Sequence, residues 1–315
     1  MSTSGEAKAV LVTGGAGFIG SHLVRRLLSH EYRVRVLDNF ATGKEQNLSG
    51  LEELEVVTGD IRSRTDVERS MRGMSAVFHL AALPSVARSW RDPVTTLATN
   101  AHGTANVVEA AIDNGVEALV YSSSSSVYGN QKAEKKSEDL ELKPISPYGY
   151  SKLLGEKIVL AHARANPGLR VLSLRYFNVF GARQDPDSPY AAVIPLFIKH
   201  ALDGTTATIY GDGTQSRDFT HVDNVVFANI LALESEASGL AMNVACGSSH
   251  SLLQLVDAIS TLNGRRLAID HGPPREGDIK HSLADISLAE KSIGYQPSVS
   301  FEEGLRRVFA DYRSA

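Results

Sequence analysis

The sequence predicts an α/β fold, a doubly wound parallel sheet followed by a smaller α/β region at the C-terminus. Two observations lead to this prediction, an alternation of apolar and amphipathic segments up to about Arg175 and a glycine-rich turn after the first apolar run. Such alternation is typical of parallel sheets wound with helices. The strand-like runs lie at residues 9–12, 34–37, 54–57, 76–80, 118–121 and 169–174. Helical periodicity predicts long helices at residues 18–29, 93–114 and 147–165.

The pattern loosens after Asn178, where glycines and prolines divide the chain into short elements. Such residues interrupt helices and strands, so the change predicts a domain boundary near position 178. We expect a first domain of residues 1–177 and a second region of residues 178–315. Segments near 217–244 can return to the first domain, because apolar runs reappear at residues 223–233 and 241–244.

Length, charge and cysteine content limit the possible functions. The 315 residues can form one large or two moderate domains, and the formal net charge is −4 with no long basic block. We therefore expect no dominant role on nucleic acid or membrane surfaces. The single cysteine, Cys246, excludes an intrachain disulfide, and the ten histidines lack metal-ligand spacing. With no apolar stretch near the roughly 20 residues of a membrane span, a cytoplasmic protein with a small ligand and no metal is expected.

The glycine-rich turn at residues 13–20 follows the first predicted strand and opens the first predicted helix. Gly14, Gly17 and Gly20 permit a tight turn that brings the backbone close to a pyrophosphate at the helix N-terminus. Asp38 ends the second predicted strand 18 positions after Gly20, where a carboxylate can accept from the adenosine ribose hydroxyls. Because a carboxylate disfavours the 2′-phosphate of NADP, the sequence predicts a Rossmann-type domain that binds NAD. The glycines alone would also suit a tight turn without a ligand.

Serines occupy every position from 122 to 126. The apolar residues on either side predict a strand end and its turn, at the edge of the sheet where ligands bind. A hydroxyl at this edge can bond a substrate hydroxyl. Alternatively, the serines satisfy local backbone groups.

Tyr148 and Lys152 lie four residues apart near the start of the predicted helix 147–165. Four residues advance a helix by about 6 Å on one face, so the ammonium can lie near the phenol. A nearby cation lowers the pKa of a phenol, and a tyrosine so tuned can take a proton from a substrate hydroxyl. The spacing alone is equally compatible with a packed tyrosine and a surface lysine, and Tyr128 with Lys132 repeats it by chance.

Over nearly its full length the chain resembles the extended short-chain dehydrogenase/reductase family, and particularly its UDP-sugar 4-epimerases. Many ordered motifs carry the resemblance, at residues 13–20, 38–39, 59–61, 79–82, 121–129, 148–152, 174–181, 217–219 and 275–278. The usual arrangement in this family is a homodimer packed through helices around residues 93–114 and 147–165, which we expect here.

The resemblance implies a role for each matching residue. Tyr148 is the base, Lys152 tunes it and holds the nicotinamide ribose, and Ser124 lies beside the C4 hydroxyl of the sugar. Further cofactor contacts are implied for Gly14, Gly17, Phe18, Ile19, Asp38, Asn39, Asp60, Ile61, Leu80, Ala81, Ala82, Asn100 and Tyr176. Contacts to the UDP-sugar are expected from Arg88, Ser125, Ser126, Phe177, Asn178, Arg217, Arg275 and Asp278, together with Ser124 and Tyr148.

The reaction that the resemblance implies is C4 epimerisation of a UDP-hexose through a 4-keto intermediate, with NAD bound throughout. Related nucleotide-sugar 4,6-dehydratases and UDP-glucuronate decarboxylases generally carry an acidic residue one or two positions after the Ser124 equivalent. This chain has Ser125 and Ser126 there, so these activities are the alternative. A non-catalytic NAD-binding scaffold is a second alternative, although such proteins usually lose the Ser, Tyr and Lys set that is intact here.

Two substrates are compatible with the resemblance, UDP-glucuronate giving UDP-galacturonate and UDP-GlcNAc giving UDP-GalNAc. Ser282 matches a position where a bulky tyrosine narrows some epimerases to unsubstituted hexoses, so the serine leaves room for an N-acetyl group. However, residues 123–129 are similar to UDP-glucuronate 4-epimerases, and Arg88 with the serines could receive a C6 carboxylate. Asn178 weakens this interpretation, since some uronate epimerases have threonine there. We expect the uronate by a small margin.

Overall fold

The fold is described by a computed structural model, which covers residues 8–188, 191–274 and 279–314. Its strands in chain order are Ala9–Thr13 (β1), Arg33–Asp38 (β2), Glu55–Thr58 (β3), Ala76–His79 (β4), Ala118–Ser124 (β5), Arg170–Tyr176 (β6), Val179–Phe180 (β7), Ala207–Tyr210 (β8), Ser216–Arg217 (β9), Thr220–His221 (β10), Leu240–Val244 (β11), His250–Ser251 (β12), Ile269–Gly272 (β13) and His281–Ser282 (β14).

The helices connect these strands. In chain order they are Phe18–Ser29 (α1), Arg64–Met71 (α2), Val86–Arg91 (α3), Pro93–Leu97 (α4), Gly103–Asp113 (α5), Pro147–Ala165 (α6), Val193–Asp203 (α7), Val222–Glu234 (α8), Leu252–Asn263 (α9), Ser287–Ile293 (α10) and Phe301–Ser314 (α11). Short 3₁₀ turns lie at Glu45–Leu48 and Ser125–Val127, and a π turn lies at Ala98–His102.

A seven-stranded parallel sheet forms the centre of the fold, with the strand order β11-β6-β5-β4-β1-β2-β3. Alternate residues of β1 face opposite sides, so that Val10 and Val12 join one core while Ala9 and Leu11 join the other. Helices α1 and α8 cover the first side, and α2, α5 and α6 cover the second. A strand buried on both faces has a continuous apolar sequence, which is why these strands could be predicted.

The order of the strands places a crevice between β1 and β4. Strand β1 is followed in the chain by β2 on one side, whereas β4 and β5 extend the sheet on the other. The loops that leave β1 and β4 therefore diverge at the carboxyl edge of the sheet. In open α/β sheets this divergence is where ligands bind.

The observed sheet confirms the predicted fold class, and strand bounds differ from the predicted runs by up to three residues. The stretch 93–114, expected as one helix, is helical throughout but contains the π turn Ala98–His102 between α4 and α5. Residues 222–234, an apolar run in the sequence, form α8 against the sheet. Leu240–Val244 adds the seventh strand beside β6.

The C-terminal region has a separate core between α7, α9 and α11, with strand β8 packed against it. Short strand groups surround this core, namely β8 with β13, β7 with β10, and β9 with β12 and β14. Within the described ranges, none of the helices combines the length and apolar character required to cross a membrane.

Candidate active site

A cleft of about 580 Å³ lies at the carboxyl edge of the sheet. The loops after β1 and β4 and the ends of β2, β5 and β6 line it, together with the first turns of α6. Of the residues expected at the site, the structure brings eighteen together here: Gly14, Gly17, Phe18, Ile19, Asp38, Asn39, Ile61, Leu80, Ala81, Ala82, Arg88, Ser124, Ser125, Ser126, Tyr148, Lys152, Tyr176 and Asn178.

Four further expected residues are not among those that line this cleft, namely Asp60, Asn100, Phe177 and Arg217. Phe177 is fully buried and packs against the ring of Tyr128, with ring centroids 6.1 Å apart. Arg217 donates to the carbonyl oxygens of Ser216 and Lys280, at 2.9 and 3.3 Å. Arg275 and Asp278 lie outside the described residues.

The glycine-rich turn between β1 and α1 needs its glycines for close packing. Gly14 has a φ of +72°, and a Cβ on it would lie 2.7 Å from the Cα of Ala81. A Cβ on Gly20 would lie 2.1 Å from the carbonyl oxygen of Gly14. The turn is thus tight enough to present the unpaired N–H groups of α1 to the cleft, as pyrophosphate binding requires.

Asp38 stands at the end of β2 and is buried against this turn. Its two carboxylate oxygens accept from the backbone N–H groups of Ala16 and Phe40, each at 2.9 Å. Burial raises the pKa of Asp38, and these backbone hydrogen bonds partly offset the rise. The carboxylate remains in the cleft lining, where further lone pairs can accept from ribose hydroxyls.

Asp60 is connected to the cleft through its neighbour Asn39. Its carboxylate accepts from the side-chain amide of Asn39 at 2.9 Å and pairs with the Arg62 guanidinium at 2.6 Å. The Arg62 hydrogen bonds lower the pKa of Asp60 to about 2. Asn39, rather than Asp60, lines the cleft.

Asn100, in the π turn, holds the loop after β4 against α6. Its side chain bonds the N–H of Leu83 at 2.7 Å, the carbonyl of Leu83 at 3.1 Å and the hydroxyl of Ser151 at 2.9 Å. All these groups are buried, so each bond replaces water that the interior excludes. Asn100 therefore shapes the cofactor cleft from behind the lining.

His79 was not among the expected site residues, although it orders the same loop. Its ring nitrogens bond the hydroxyls of Thr13 at 2.7 Å and Thr104 at 2.9 Å. The Thr13 hydroxyl also accepts from the N–H of Ala81 at 3.2 Å. Burial lowers the pKa of His79 to about 3, so the imidazole is neutral. Its position at the end of an apolar run was the available signal.

Tyr148 and Lys152 lie in the first turns of α6, which begins at the N-cap Ser146 and at Pro147. The Ser146 side chain accepts from the N–H of Gly149 at 3.1 Å, which fixes the start of the helix. Ser124, the last residue of β5, shares a side-chain hydrogen bond with Tyr148. The structure therefore brings the Ser, Tyr and Lys side chains together in the cleft.

The expected lowering of the Tyr148 pKa is wrong for the described structure. Desolvation raises the pKa of Tyr148, and the hydrogen bond with Ser124 opposes the rise. Lys152 is itself buried, which lowers the pKa of its ammonium to about 7. Burial is the main cause of both shifts, because each charged form loses its hydration.

Tyr128, whose spacing from Lys132 matches that of the site pair, has a structural role. Its hydroxyl donates to Asn243 at 2.7 Å and accepts from Arg175 at 2.8 Å. The residue is buried. The repeat of the spacing is therefore coincidental.

Arg88 and the serines 124–126 also line the cleft. Arg88 lies in the first turn of α3, which is capped by Ser85, a residue with a φ of +87°. Ser125 and Ser126 form a 3₁₀ turn in which the N–H of Ser126 donates to the Ser124 hydroxyl at 3.2 Å. Donors from two separate elements thus line the same cleft.

This geometry is that of a dinucleotide-binding α/β protein. Residues 10–245 match the model of the NAD dependent epimerase/dehydratase family. The chain belongs to this family, and its cofactor is NAD.

Several characterised proteins are similar over almost the whole chain. A UDP-glucose 4-epimerase of Mycolicibacterium smegmatis is 38% identical over 96% of this chain and 98% of its own. A UDP-N-acetyl-alpha-D-glucosaminuronate decarboxylase of Bacillus cytotoxicus is 32% identical over 97% of this chain and 98% of its own.

Solved structures are equally similar. A UDP-N-acetylglucosamine 4-epimerase from Methanobrevibacter ruminantium, in complex with UDP-N-acetylmuramic acid, is 40% identical with a TM-score of 0.93, over 98% of this chain and 99% of that one. MoeE5, in complex with UDP-glucuronic acid and NAD, is 38% identical with a TM-score of 0.89, over 97% and 99%.

We predict that Ser124→Ala raises the pKa of Tyr148, because the Ser124 hydrogen bond lowers it in the native protein. Less phenolate is then present at a given pH, so a rate that needs phenolate rises only at higher pH. Ultraviolet titration of tyrosinate measures this pKa, with Tyr148→Phe protein as the baseline and Ser125→Ala as the matched control. An unchanged pKa would contradict the assignment.

Proposed function

We propose that this protein is an NAD-dependent UDP-sugar 4-epimerase. The observation that carries the proposal is the complete set of Ser124, Tyr148 and Lys152 in one cleft with the glycine turn and Asp38. A scaffold that only binds NAD has no need of a hydrogen-bonded Ser and Tyr beside a buried Lys. The similar UDP-sugar epimerases support the same activity.

Tyr148 is the proposed general base for the C4 hydroxyl of the sugar. NAD, when bound, would accept a hydride from C4 of the sugar and later return it. Tyr148 takes the hydroxyl proton, Ser124 bonds the same oxygen, and the Lys152 ammonium favours the phenolate form of the base. The product of this half-reaction is a 4-keto sugar, which has lost its stereochemistry at C4.

Epimerisation then requires the sugar to present its opposite face to the same residues. We infer that the UDP moiety stays bound while the sugar rotates about the diphosphate linkage. Asn178 and Arg217 are the described residues proposed for diphosphate contact, and Asn178 lines the cleft. Binding remote from C4 allows the sugar pocket itself to be loose.

Dehydration and decarboxylation, the two alternative reactions, are expected to need an acidic side chain in the turn after Ser124, and this chain has none at positions 125 and 126. Ser125 and Ser126 occupy the 3₁₀ turn after Ser124, and a hydroxyl is a poor proton donor compared with a carboxylic acid. We therefore rank dehydration and decarboxylation below simple epimerisation, although a similar decarboxylase keeps them as the alternative.

For the substrate, we propose UDP-glucuronate. Arg88 and the serine turn line the same cleft, and a guanidinium together with hydroxyls suits a C6 carboxylate. MoeE5 in complex with UDP-glucuronic acid is compatible with this choice, and the same protein is also known in complex with UDP-glucose. UDP-GlcNAc is the second candidate, since Ser282 on β14 is a small residue.

Tyr148→Phe is predicted to keep the fold and NAD but to lose at least about a hundredfold in turnover, the lower range of general-base effects. NMR of the products from UDP-glucuronate, UDP-GlcNAc and UDP-glucose measures the C4 epimer formed in each case. Wild-type turnover by the variant would remove Tyr148 from its role. UDP-xylose among the products would establish the decarboxylase instead.

Arg88→Gln is predicted to lower kcat/KM for UDP-glucuronate about tenfold to a hundredfold while leaving UDP-glucose nearly unaffected, because only the uronate loses a charged hydrogen bond. Arg91→Gln, which removes the same charge from an exposed position of α3, is the matched control. Equal losses on both substrates would contradict a carboxylate site at Arg88.

A homodimer is the proposed assembly. Helices α3, α4 and α6 pack side by side and expose large apolar residues, including Trp90, Val94 and Leu154 at 64%, 76% and 48% exposure. Of these, α4 and α6 belong to the segments 93–114 and 147–165, through which the family resemblance places a second copy. Burying such a patch would remove an unfavourable contact with water.

Val94→Glu is predicted to convert a dimer into a monomer, because it puts a charge at the centre of this patch. Sedimentation velocity measures the mass of the native and variant proteins. Val56→Glu, at another exposed valine on β3, is the matched control. A native protein that sediments as a monomer would overturn the proposed assembly.

A further inference from the structure

Glu156 is a buried carboxylate that the proposed mechanism does not use. It lies on α6 one turn beyond Lys152, with 1% of its surface exposed. Side chains separated by four residues on a helix are neighbours on one face. An ionised carboxylate in such a position has to be compensated by charge and hydrogen bonds.

The carboxylate of Glu156 is bound by donors from two strands. Arg175 on β6 forms a two-point contact, from Nε to Oε2 at 3.0 Å and from Nη2 to Oε1 at 2.7 Å. The hydroxyls of Ser123 on β5 and Ser173 on β6 donate to Oε2 at 2.7 and 3.1 Å. Four hydrogen bonds thus hold the group in a single orientation.

Two of the residues in this arrangement adjoin the proposed site. Ser123 directly precedes Ser124 at the end of β5, so its bond to Glu156 fixes the backbone that carries the Ser124 hydroxyl. Lys152 places its ammonium in the same buried layer, with Nζ 4.8 Å from the centroid of the Tyr121 ring. Glu156 therefore lies beneath the group that contains Ser124, Tyr148 and Lys152.

We propose that Glu156 is a positioning residue for this group, which compensates the buried Lys152 charge and fixes the strand end at Ser124. The inference rests on the proposed function, in which Lys152 acts as an ammonium. It assigns to Glu156 an effect on the protonation of the site, in addition to its contribution to stability.

The charges around Lys152 indicate the direction of this effect. Tyr148 and Glu156 face it from α6, Tyr121 from β5 and the neutral His79 from β4. Burial lowers the pKa of Lys152 to about 7, and the Glu156 carboxylate opposes the lowering. Loss of that carboxylate would therefore cause the ammonium to lose its proton at a lower pH.

A purely structural role for Glu156 has to be separated from this effect. The network continues from Arg175 to the Tyr128 hydroxyl at 2.8 Å and on to Asn243 at 2.7 Å. Asn243 in turn donates to the carbonyls of Lys136 and Asp285. Any variant in this network is expected to lower the melting temperature.

The test is the dependence of kcat/KM on pH for Glu156→Gln. The base limb, where activity falls as Lys152 loses its proton, should move to lower pH by about one unit or more, as expected on loss of a nearby opposite charge. Glu156→Asp, which retains the negative charge, should have a base limb close to the pH at which it lies in the native protein. Tyr128→Phe, which weakens the network but keeps the carboxylate, should lower the melting temperature and leave the limb in place.

An unmoved base limb in Glu156→Gln, or an equal shift in Tyr128→Phe, would overturn the inference. If the single variant fails to fold because Arg175 is left unpaired, Glu156→Gln with Arg175→Gln removes both charges. The limb should then move in the same direction by a smaller amount, because loss of the Arg175 cation partly offsets loss of the carboxylate. Tyr148→Phe tests the proposed function separately. Activity in that variant would contradict the proposed mechanism. If Tyr148→Phe is inactive and the base limb of the pH profile of Glu156→Gln is unmoved, only the inference about Glu156 is contradicted.

Discussion

The buried ammonium of Lys152 is the constraint on which the arrangement of the site depends. A cation excluded from water is stable only beside compensating groups, here the Tyr121 ring and the Glu156 carboxylate. Both lie where α6 meets β5, and Gly155 allows that contact. A Cβ on Gly155 would stand 2.3 Å from the Tyr121 hydroxyl oxygen. The close approach that places Lys152 in the cleft therefore requires a residue without a side chain.

The parallel sheet brings the cofactor turn and this charged group to one edge. Strand β1 delivers the glycine turn, β2 delivers Asp38 and β5 delivers Ser124, all at their carboxyl ends. Side chains behind the cleft then hold the loops, as His79 and Asn100 do for the loop after β4. The chemistry proposed for the cleft thus depends on buried polar groups that are not part of its lining.

The fold was predictable because strands that are buried on both faces of a sheet have continuous apolar sequences. The glycine turn and Asp38 were predictable because their spacing follows from local geometry. Packing between residues distant in the sequence was not predictable. It determines that Asp60 lies behind Asn39 and that Phe177 is buried in the core. The direction of the Tyr148 pKa shift could not be predicted from the sequence either. Spacing along a helix indicates proximity to Lys152, but it does not indicate that both groups are desolvated.

The most direct test of the account is conversion of the UDP-sugar in deuterated water, with NMR of the product at C4. Our account holds that the hydrogen removed from C4 returns to C4 from within the same protein molecule, so the product should carry no deuterium there. A substrate labelled with deuterium at C4 should conversely keep its label in ordinary water. Deuterium from the solvent at C4 of the product would contradict the account.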